Sequence, residues 1–426
     1  MNGELALVLH THMPYVEGFG TWPFGEEWLW EAIATSYLPL LDVLDAHPGM
    51  VTLSITPVLA DQLEAPGALE RCLTFLREVR PASHALDASD HPEAAGQIAY
   101  SAARYEFAAE ALERRGDLIA AFAPHVTWTS AATHAVLPLL ATDAGVRLQL
   151  ETGIASHRRR FGAWDGGFWL PECAHEPWLD ELLEEAGVHL TCVDWTDVTP
   201  SHAAQASEAG LCLVPLDRTA IDRVWHESGY PAHGDYRDSN RLTARAHALW
   251  ANDGTLYDPE RAAQRARTDA ADFVAHAPDG AVVAFDTELF GHHWHEGIAF
   301  LQAVLELAHV LPVAVGEAEP APDAPPTSWG LERDLRTWSR GPLAWTQRSA
   351  ELAALGADPS DRALRELLAL QSSDWAFLID RGTAGDYPRE RAEAHHRSFV
   401  SALAGRGSDE LRNLAPELAN WAFVQP

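Results

Sequence analysis

Two short segments carry an apolar run onto a carboxylate: Gly167-Phe168-Trp169-Leu170-Pro171-Glu172, and Ala281-Val282-Val283-Ala284-Phe285-Asp286, with Glu288 two residues further on. In a barrel of parallel strands the reactive groups sit at the carboxyl ends of different strands, so two acids far apart in sequence can face one pocket. Paired carboxylates are the chemistry of glycosidic bonds, one as nucleophile and the other as acid and then base, and the retaining arrangement holds them about 5–5.5 Å apart. Pro171 biases Leu170 toward extended backbone, which delivers Glu172 at a stiff strand end beside a large aromatic. Each acid also has a plain structural reading. Glu172 could cap the helix that starts near Pro177, and Asp286 could be a helix N-cap.

His10 and His12 end the first apolar run at a spacing that points both side chains to one face, which suits two hydrogen-bond donors to sugar hydroxyls or a pair of metal ligands. Zinc needs three or four ligands; Asp194, His134, His292 or His293 could join, but no tight spacing such as HExxH occurs, and the expectation is a site without metal. Trp22, Trp28, Trp30, Trp169, Trp225, Tyr230 and Trp294 flank these strand ends. Any one of them is more often core than ligand, yet as a set at the mouth of a barrel two or three are expected to be sugar platforms.

The elements that must position these groups read as alternating β and α. Short β-rich runs fall at 5–10, 51–56, 126–130, 167–172, 189–194, 211–216, 223–226 and 281–286. Helical patterns with three and four spacing fall at 38–44, 94–114, 151–161, 178–186 and 259–275. Such alternation predicts a parallel sheet. Several strands end in a residue able to do chemistry, and no glycine-rich phosphate turn follows an early strand, so the pattern favours a barrel over an open doubly wound sheet. Residues 317–327 form a proline-rich acidic segment, read as a linker without helix or strand. The division expected is a catalytic barrel over 1–316, the linker over 317–327, and a helical domain over 328–426 with helices at 342–355, 360–373 and 387–403.

The chain has 426 residues, is 47% hydrophobic and carries a formal net charge of −32, which argues against nucleic acid or an anionic membrane as partner and is compatible with a neutral substrate. All 30 basic residues are Arg, so a Schiff-base lysine is excluded. Cys72, Cys173, Cys192 and Cys212 lack metal-like spacing, and the start Met1-Asn2-Gly3-Glu4 lacks the basic region of a signal peptide, so a cytoplasmic protein with reduced thiols is expected. No apolar run is long enough to cross a bilayer.

The motifs together resemble glycoside hydrolase family 57, and most closely its 1,4-α-glucan branching members. The resemblance rests on His10-Thr11-His12-Met13-Pro14-Tyr15-Val16, Trp22-Pro23-Phe24-Gly25-Glu26-Glu27, Thr129-Ser130-Ala131-Ala132-Thr133-His134, Trp169-Leu170-Pro171-Glu172, Asp286-Thr287-Glu288-Leu289-Phe290-Gly291-His292 and Ser373-Asp374-Trp375, in that order along nearly the whole chain. It implies an incomplete seven-stranded (β/α) barrel followed by a C-terminal α-helical domain that reaches into the cleft through Asp374 and Trp375. It also implies Glu172 as nucleophile, Asp286 as general acid/base, a retaining mechanism without metal or organic cofactor, and an α-glucan such as glycogen or amylose as substrate. The chain departs from the branching members in the segment Trp195 to Leu211, which has no Tyr, in His175 where they have Tyr, and in His293 where Trp is usual. A wetter acceptor side favours hydrolysis, so an α-1,4-glucan hydrolase or a 4-α-glucanotransferase is the alternative. A metal-dependent deacetylase or hydrolase using His10, His12 and Asp194, and a silent glucan-binding protein, are readings from other classes.

Overall fold

The computed structural model describes residues 4–18, 20, 24–198, 203–314, 318–406 and 413–423. Ten strands lie among them: β1 (Glu4–Thr11), β2 (Thr52–Ile55), β3 (Val126–Ser130), β4 (Phe168–Trp169), β5 (Leu190–Val193), β6 (Gln205–Ala206), β7 (Cys212–Pro215), β8 (Ala281–Asp286), β9 (His309–Leu311) and β10 (Glu319–Pro320). β4, β3, β2, β1 and β8 pair side by side in parallel. A parallel bridge between Gly167 and Leu190 continues the sheet from β4 to β5, and β5 pairs in parallel with β7. The amide of Asp217, just beyond β7, donates to the Val282 carbonyl of β8 at 2.8 Å. Seven parallel strands therefore curl into an incomplete barrel, and helices cover the outside. β1 and β8 are near-continuous apolar runs because both faces of a parallel sheet are buried, and their side chains from Leu5 to Leu9 and Ala281 to Phe285 feed one core.

Close approach of the helices depends on small residues. A Cβ on Gly153, in the helix Asp143–Phe161, would run into the Ser130 carbonyl at the end of β3. Gly291 holds φ +96° in the turn after β8, where a side chain would strike the Thr35 carbonyl.

The expected helices at 38–44, 94–114, 259–275, 342–355 and 387–403 appear as Leu38–Ala46, Ala95–Arg115, Pro259–His276, Gly341–Leu355 and Tyr387–Leu403. Three expectations are corrected. The run 223–226 is not a strand but the last turn of the helix Arg218–Trp225, which Asp217 caps through its carboxylate to the Ala220 amide; Ala220, Ile221 and Val224 form the buried stripe. The segment read as a linker contains β10, which pairs with β6, and its Thr327 bridges to His175. Its prolines punctuate the chain without freeing it, since Ala324 is buried with Leu211, Leu213 and Trp195. The expected helix 360–373 is broken: Asp361–Leu370 ends, Ser372 leaves helical backbone at φ −51° and ψ 134°, and a new helix runs from Ser373 to Arg381. Gln371 holds that break through side-chain hydrogen bonds to Gln149 and Glu351. The C-terminal helices share their core with Tyr15, Val58, Ala132 and Leu148 of the barrel, so one hydrophobic cluster spans the two parts. Among the described residues no helix is long and apolar enough to cross a membrane.

Candidate active site

Strand register assembles the pocket. Asp286 lies beside His10, and His10 beside Ser54, across β8, β1 and β2. Ser130 lies beside Trp169 across β3 and β4, and Glu172 follows three residues later. The backbone there turns sharply: Glu172 and Cys173 hold φ +59° and +49°, and His134, after β3, holds +60°. Non-glycine residues seldom take this conformation, and it persists where surrounding contacts over-determine it. Here the contacts are visible. The Trp329 amide donates to the Glu172 carbonyl and the Ser373 amide to the His134 carbonyl.

Glu172 does not cap a helix. Its Oε1 accepts from the Ser373 hydroxyl at 2.8 Å and its Oε2 from the Trp329 indole at 3.2 Å. Burial raises its pKa to about 7, opposed by those two hydrogen bonds and reinforced by the charges of Asp286 and Asp374. Asp286 stands at the start of the short turn Thr287–Leu289 but caps nothing with its side chain. Burial and the neighbouring Glu288 carry it to about 7, with His12 opposing. Glu288 is also raised to about 7 by burial, although Tyr37 Oη donates to it at 2.6 Å and the His12 amide at 3.1 Å.

His12 and His134 are stacked, centroids 4.0 Å apart at 18° between planes, whereas His10 meets His134 Nε2 to Nε2 at 3.0 Å with centroids 4.9 Å apart. His10 and His134 are buried and held well below their usual pKa, His10 by burial, His134 and His12, and His134 by burial and His12 with Asp374 opposing. Burial opposes charge on His12 too, but Asp374 at 3.0 Å, Glu288 and Glu172 outweigh it and raise its pKa. The same contact drags Asp374 down to about 2 against the effect of burial. His12, His134 and Asp374 bring ligand-type atoms within 4.8 Å of one another. A shared metal does not fit this arrangement, because imidazole lone pairs lie in the ring planes and two stacked rings cannot aim at one ion. Asp194, the further ligand considered from sequence, is spent on Thr196 and Arg218.

The remaining expected residues divide. Trp169 is fully buried, packed on His10 at 5.2 Å and on Trp329 at 4.9 Å, so it backs the pocket. Trp225 is 45% exposed and lies parallel to Trp329 at 6.4 Å, extending an aromatic wall outward from Glu172. His292 sits in the turn after β8 with Nδ1 3.3 Å from Thr35 Oγ1, its pKa pulled to about 3 by burial and His293. Three aromatics expected to meet sugar are placed elsewhere. Trp294 is 2% exposed, wedged among Tyr236, Phe290 and Phe300. Trp375 is fully buried and donates to the Ala369 carbonyl, pinning the helix that presents Asp374. Tyr230 turns its hydroxyl to Asp272 on the outer helix Pro259–His276. Trp22 lies outside the described residues. Sequence reasoning overlooked Trp329, Ser373, Ser54 and Tyr37 as site residues. Ser373 lay within the motif Ser373-Asp374-Trp375 and Ser54 within the second apolar run, opposite His10, whereas Trp329 and Tyr37 had no signal.

A family model for glycosyl hydrolase family 57 matches residues 6–309, and a model for the C-terminal part of 1,4-alpha-glucan branching enzymes matches residues 344–417. The chain is 30% identical to a 1,4-alpha-glucan branching enzyme of Thermococcus kodakarensis, over 94% of this chain and 73% of that protein. It is 31% identical to a probable 1,4-alpha-glucan branching enzyme of Mycobacterium tuberculosis, over 97% and 94%. The crystal structure of a branching enzyme of this family from Pyrococcus horikoshii superposes with a TM-score of 0.87 at 28% identity, covering all of this chain and 97% of that one.

Proposed function

Since the chain belongs to glycosyl hydrolase family 57, we infer that it is a 1,4-α-glucan branching enzyme: it cleaves an α-1,4 linkage and transfers the released chain to a 6-hydroxyl. The observation that carries the chemistry is the meeting of two partly buried carboxyl groups in one pocket, each with its pKa raised to about 7 and each with different neighbours. In the first step Glu172 attacks the anomeric carbon while Asp286 gives its proton to the departing 4-oxygen, leaving a glycosyl ester on Glu172. In the second, ionised Asp286 takes the proton from the acceptor 6-hydroxyl as that oxygen displaces Glu172 and restores the α configuration. His12, His292, Trp225 and Asp374 are assigned to the sugar-binding surface, with Trp22 assigned by motif alone, while His10, His134 and Trp169 are buried and back it. Trp329, Ser373 and Asp374 enter the pocket from beyond residue 327, so the division into 1–316, 317–327 and 328–426 is proposed as two parts completing one site.

The substrate is an α-glucan such as glycogen or amylose. A cytoplasmic setting accords with the four cysteines, which are buried and free. Hydrolysis is the second reading. It rests on the missing Tyr between Trp195 and Leu211, because water competes wherever the acceptor side cannot exclude it. Incubation with amylose separates the two. Branching predicts loss of iodine stain with few new reducing ends and new chains released by a debranching enzyme, whereas reducing ends rising in step with stain loss would make hydrolysis the reaction.

A further inference from the structure

The mechanism leaves four buried groups unused that touch one another in a line ending on Glu172. Ser54 Oγ is 3.2 Å from His10 Nδ1, His10 Nε2 is 3.0 Å from His134 Nε2, His134 Nδ1 is 2.8 Å from Ser373 Oγ, and Ser373 Oγ is 2.8 Å from Glu172 Oε1. Donor counting allows few proton arrangements. The two facing Nε2 atoms cannot both carry hydrogen, so at least one ring is neutral with its proton on Nδ1. If Glu172 is ionised, Ser373 donates to it and must accept from His134 Nδ1–H. His134 Nε2 then accepts from His10 Nε2–H, and His10 Nδ1 accepts from Ser54. If Glu172 carries a proton on Oε1, every link reverses: Glu172 donates to Ser373, Ser373 to His134 Nδ1, His134 Nε2–H to His10 Nε2, and His10 Nδ1–H to Ser54. The Ser54 hydroxyl then turns to the Thr129 carbonyl 3.3 Å away. Both states satisfy every member with neutral histidines; they differ by the one proton that Glu172 gains or loses and by the direction of every link.

We propose that Ser54, His10, His134 and Ser373 form a reversible hydrogen-bond relay that positions Glu172 and reports its protonation across β1, β2, the turn after β3 and the helix Ser373–Arg381. These are positioning residues, since they act through Glu172, and the proposal rests on Glu172 being the nucleophile. During attack Glu172 loses its negative charge to the new ester; the relay is oriented to accept the carboxylate back when the ester is displaced. Serine and imidazole suit the task because each can both give and take a hydrogen bond. Other charged groups facing Glu172 are Asp286, Asp374 and His12, and they set its pKa alongside the relay.

The test is the pH dependence of kcat/KM on a maltooligosaccharide. Removing a donor to a carboxylate raises its pKa, so Ser373→Ala moves the acid limb up by about one pH unit, and kcat falls about tenfold to a hundredfold with KM little changed. Ser373→Thr, which keeps the hydroxyl, restores the limb. His10→Asn, which does not touch Glu172, also moves the limb up, and the double variant moves it no further than Ser373→Ala alone, because one path carries both effects. Shifts that add, or a limb unmoved by Ser373→Ala, overturn the relay. If His10→Asn does not fold, His10→Gln replaces it, and the Ser373 pair decides alone if neither folds. Glu172→Gln, measured alongside, separates the two ideas: activity there sinks the nucleophile assignment, while an inactive Glu172→Gln with an unmoved Ser373→Ala limb sinks only the relay.

Discussion

Burial carries both the Glu172 side and the Asp286 side of the pocket to the same pKa region, and the two sides differ in what else meets the carboxyl group. Glu172 is met by two donors, the Ser373 hydroxyl and the Trp329 indole, and lies at the first turn of the helix Ser373–Arg381, whose end favours negative charge. Asp286 is met by an anion: Glu288 two residues away adds to its burial, and among the described residues no hydrogen bond opposes the shift. A carboxylate held by donors is ready to attack, and a carboxyl group crowded by negative charge keeps its proton. Residue type alone could not divide the roles, since both are acids at strand ends. The surroundings distinguish them: donors favour the ionised form at Glu172, and the neighbouring Glu288 favours the protonated form at Asp286. Because the two groups titrate together, the pH profile reports the pair.

The comparison breaks most directly under substitution of the acids. Glu172→Gln is expected to lose at least about ten-thousandfold in turnover on every donor, because no other group forms the glycosyl ester. Asp286→Asn is expected to lose about 10²- to 10⁴-fold on a glucan. Its first step on an α-glycosyl fluoride survives, because fluoride leaves without a proton. Equal losses on both donors would erase the distinction. Glu288→Gln removes the anion that keeps Asp286 protonated, so the basic limb of kcat/KM moves down by about one pH unit; an unmoved limb would mean that burial alone sets Asp286. Trp329→Phe removes one donor to Glu172 while keeping the aromatic wall, and should raise the acid limb by a few tenths of a pH unit with a loss of a few-fold in kcat.

Stability sharpens the same contrast at the smallest scale. The folded pKa of Asp286, about 7, lies above its ordinary 3.8, so between these values the folded chain holds a proton that the unfolded chain has released. Stability is therefore lost as pH rises through that window, and the whole cost is present above it. Asp286→Asn should raise the melting temperature by a few degrees at pH 8 and much less at pH 4. An equal gain at both would place the strain outside ionisation.

Much of this site was legible because strand ends are where parallel barrels put chemistry. Glu172, Asp286, His10 and His12 could be read from apolar runs that stop on polar groups, and β8 ends at Asp286 as its string implies. What the string concealed came from long-range contact. Trp329 follows a proline-rich stretch that looks like a spacer, yet backbone pairing through β10 and Thr327 fixes that stretch against the barrel. Ser373 looks like the end of a continuing helix, and only the side-chain bonds of Gln371 show why the chain breaks and re-aims there. Trp294 and Trp375 illustrate the reverse case. A tryptophan beside a strand end is as useful to a core as to a sugar, and burial decides which.

The most direct test of the division between the two acids is covalent trapping. The purified protein would be reacted with a slow fluorosugar donor, an α-maltosyl fluoride carrying a second fluorine, then digested and mapped by mass spectrometry. The account predicts one sugar on the peptide containing Glu172, formed at a normal or near-normal rate in Asp286→Asn and absent in Glu172→Gln. A label on Asp286 or Glu288, or labelling that survives Glu172→Gln, would contradict it.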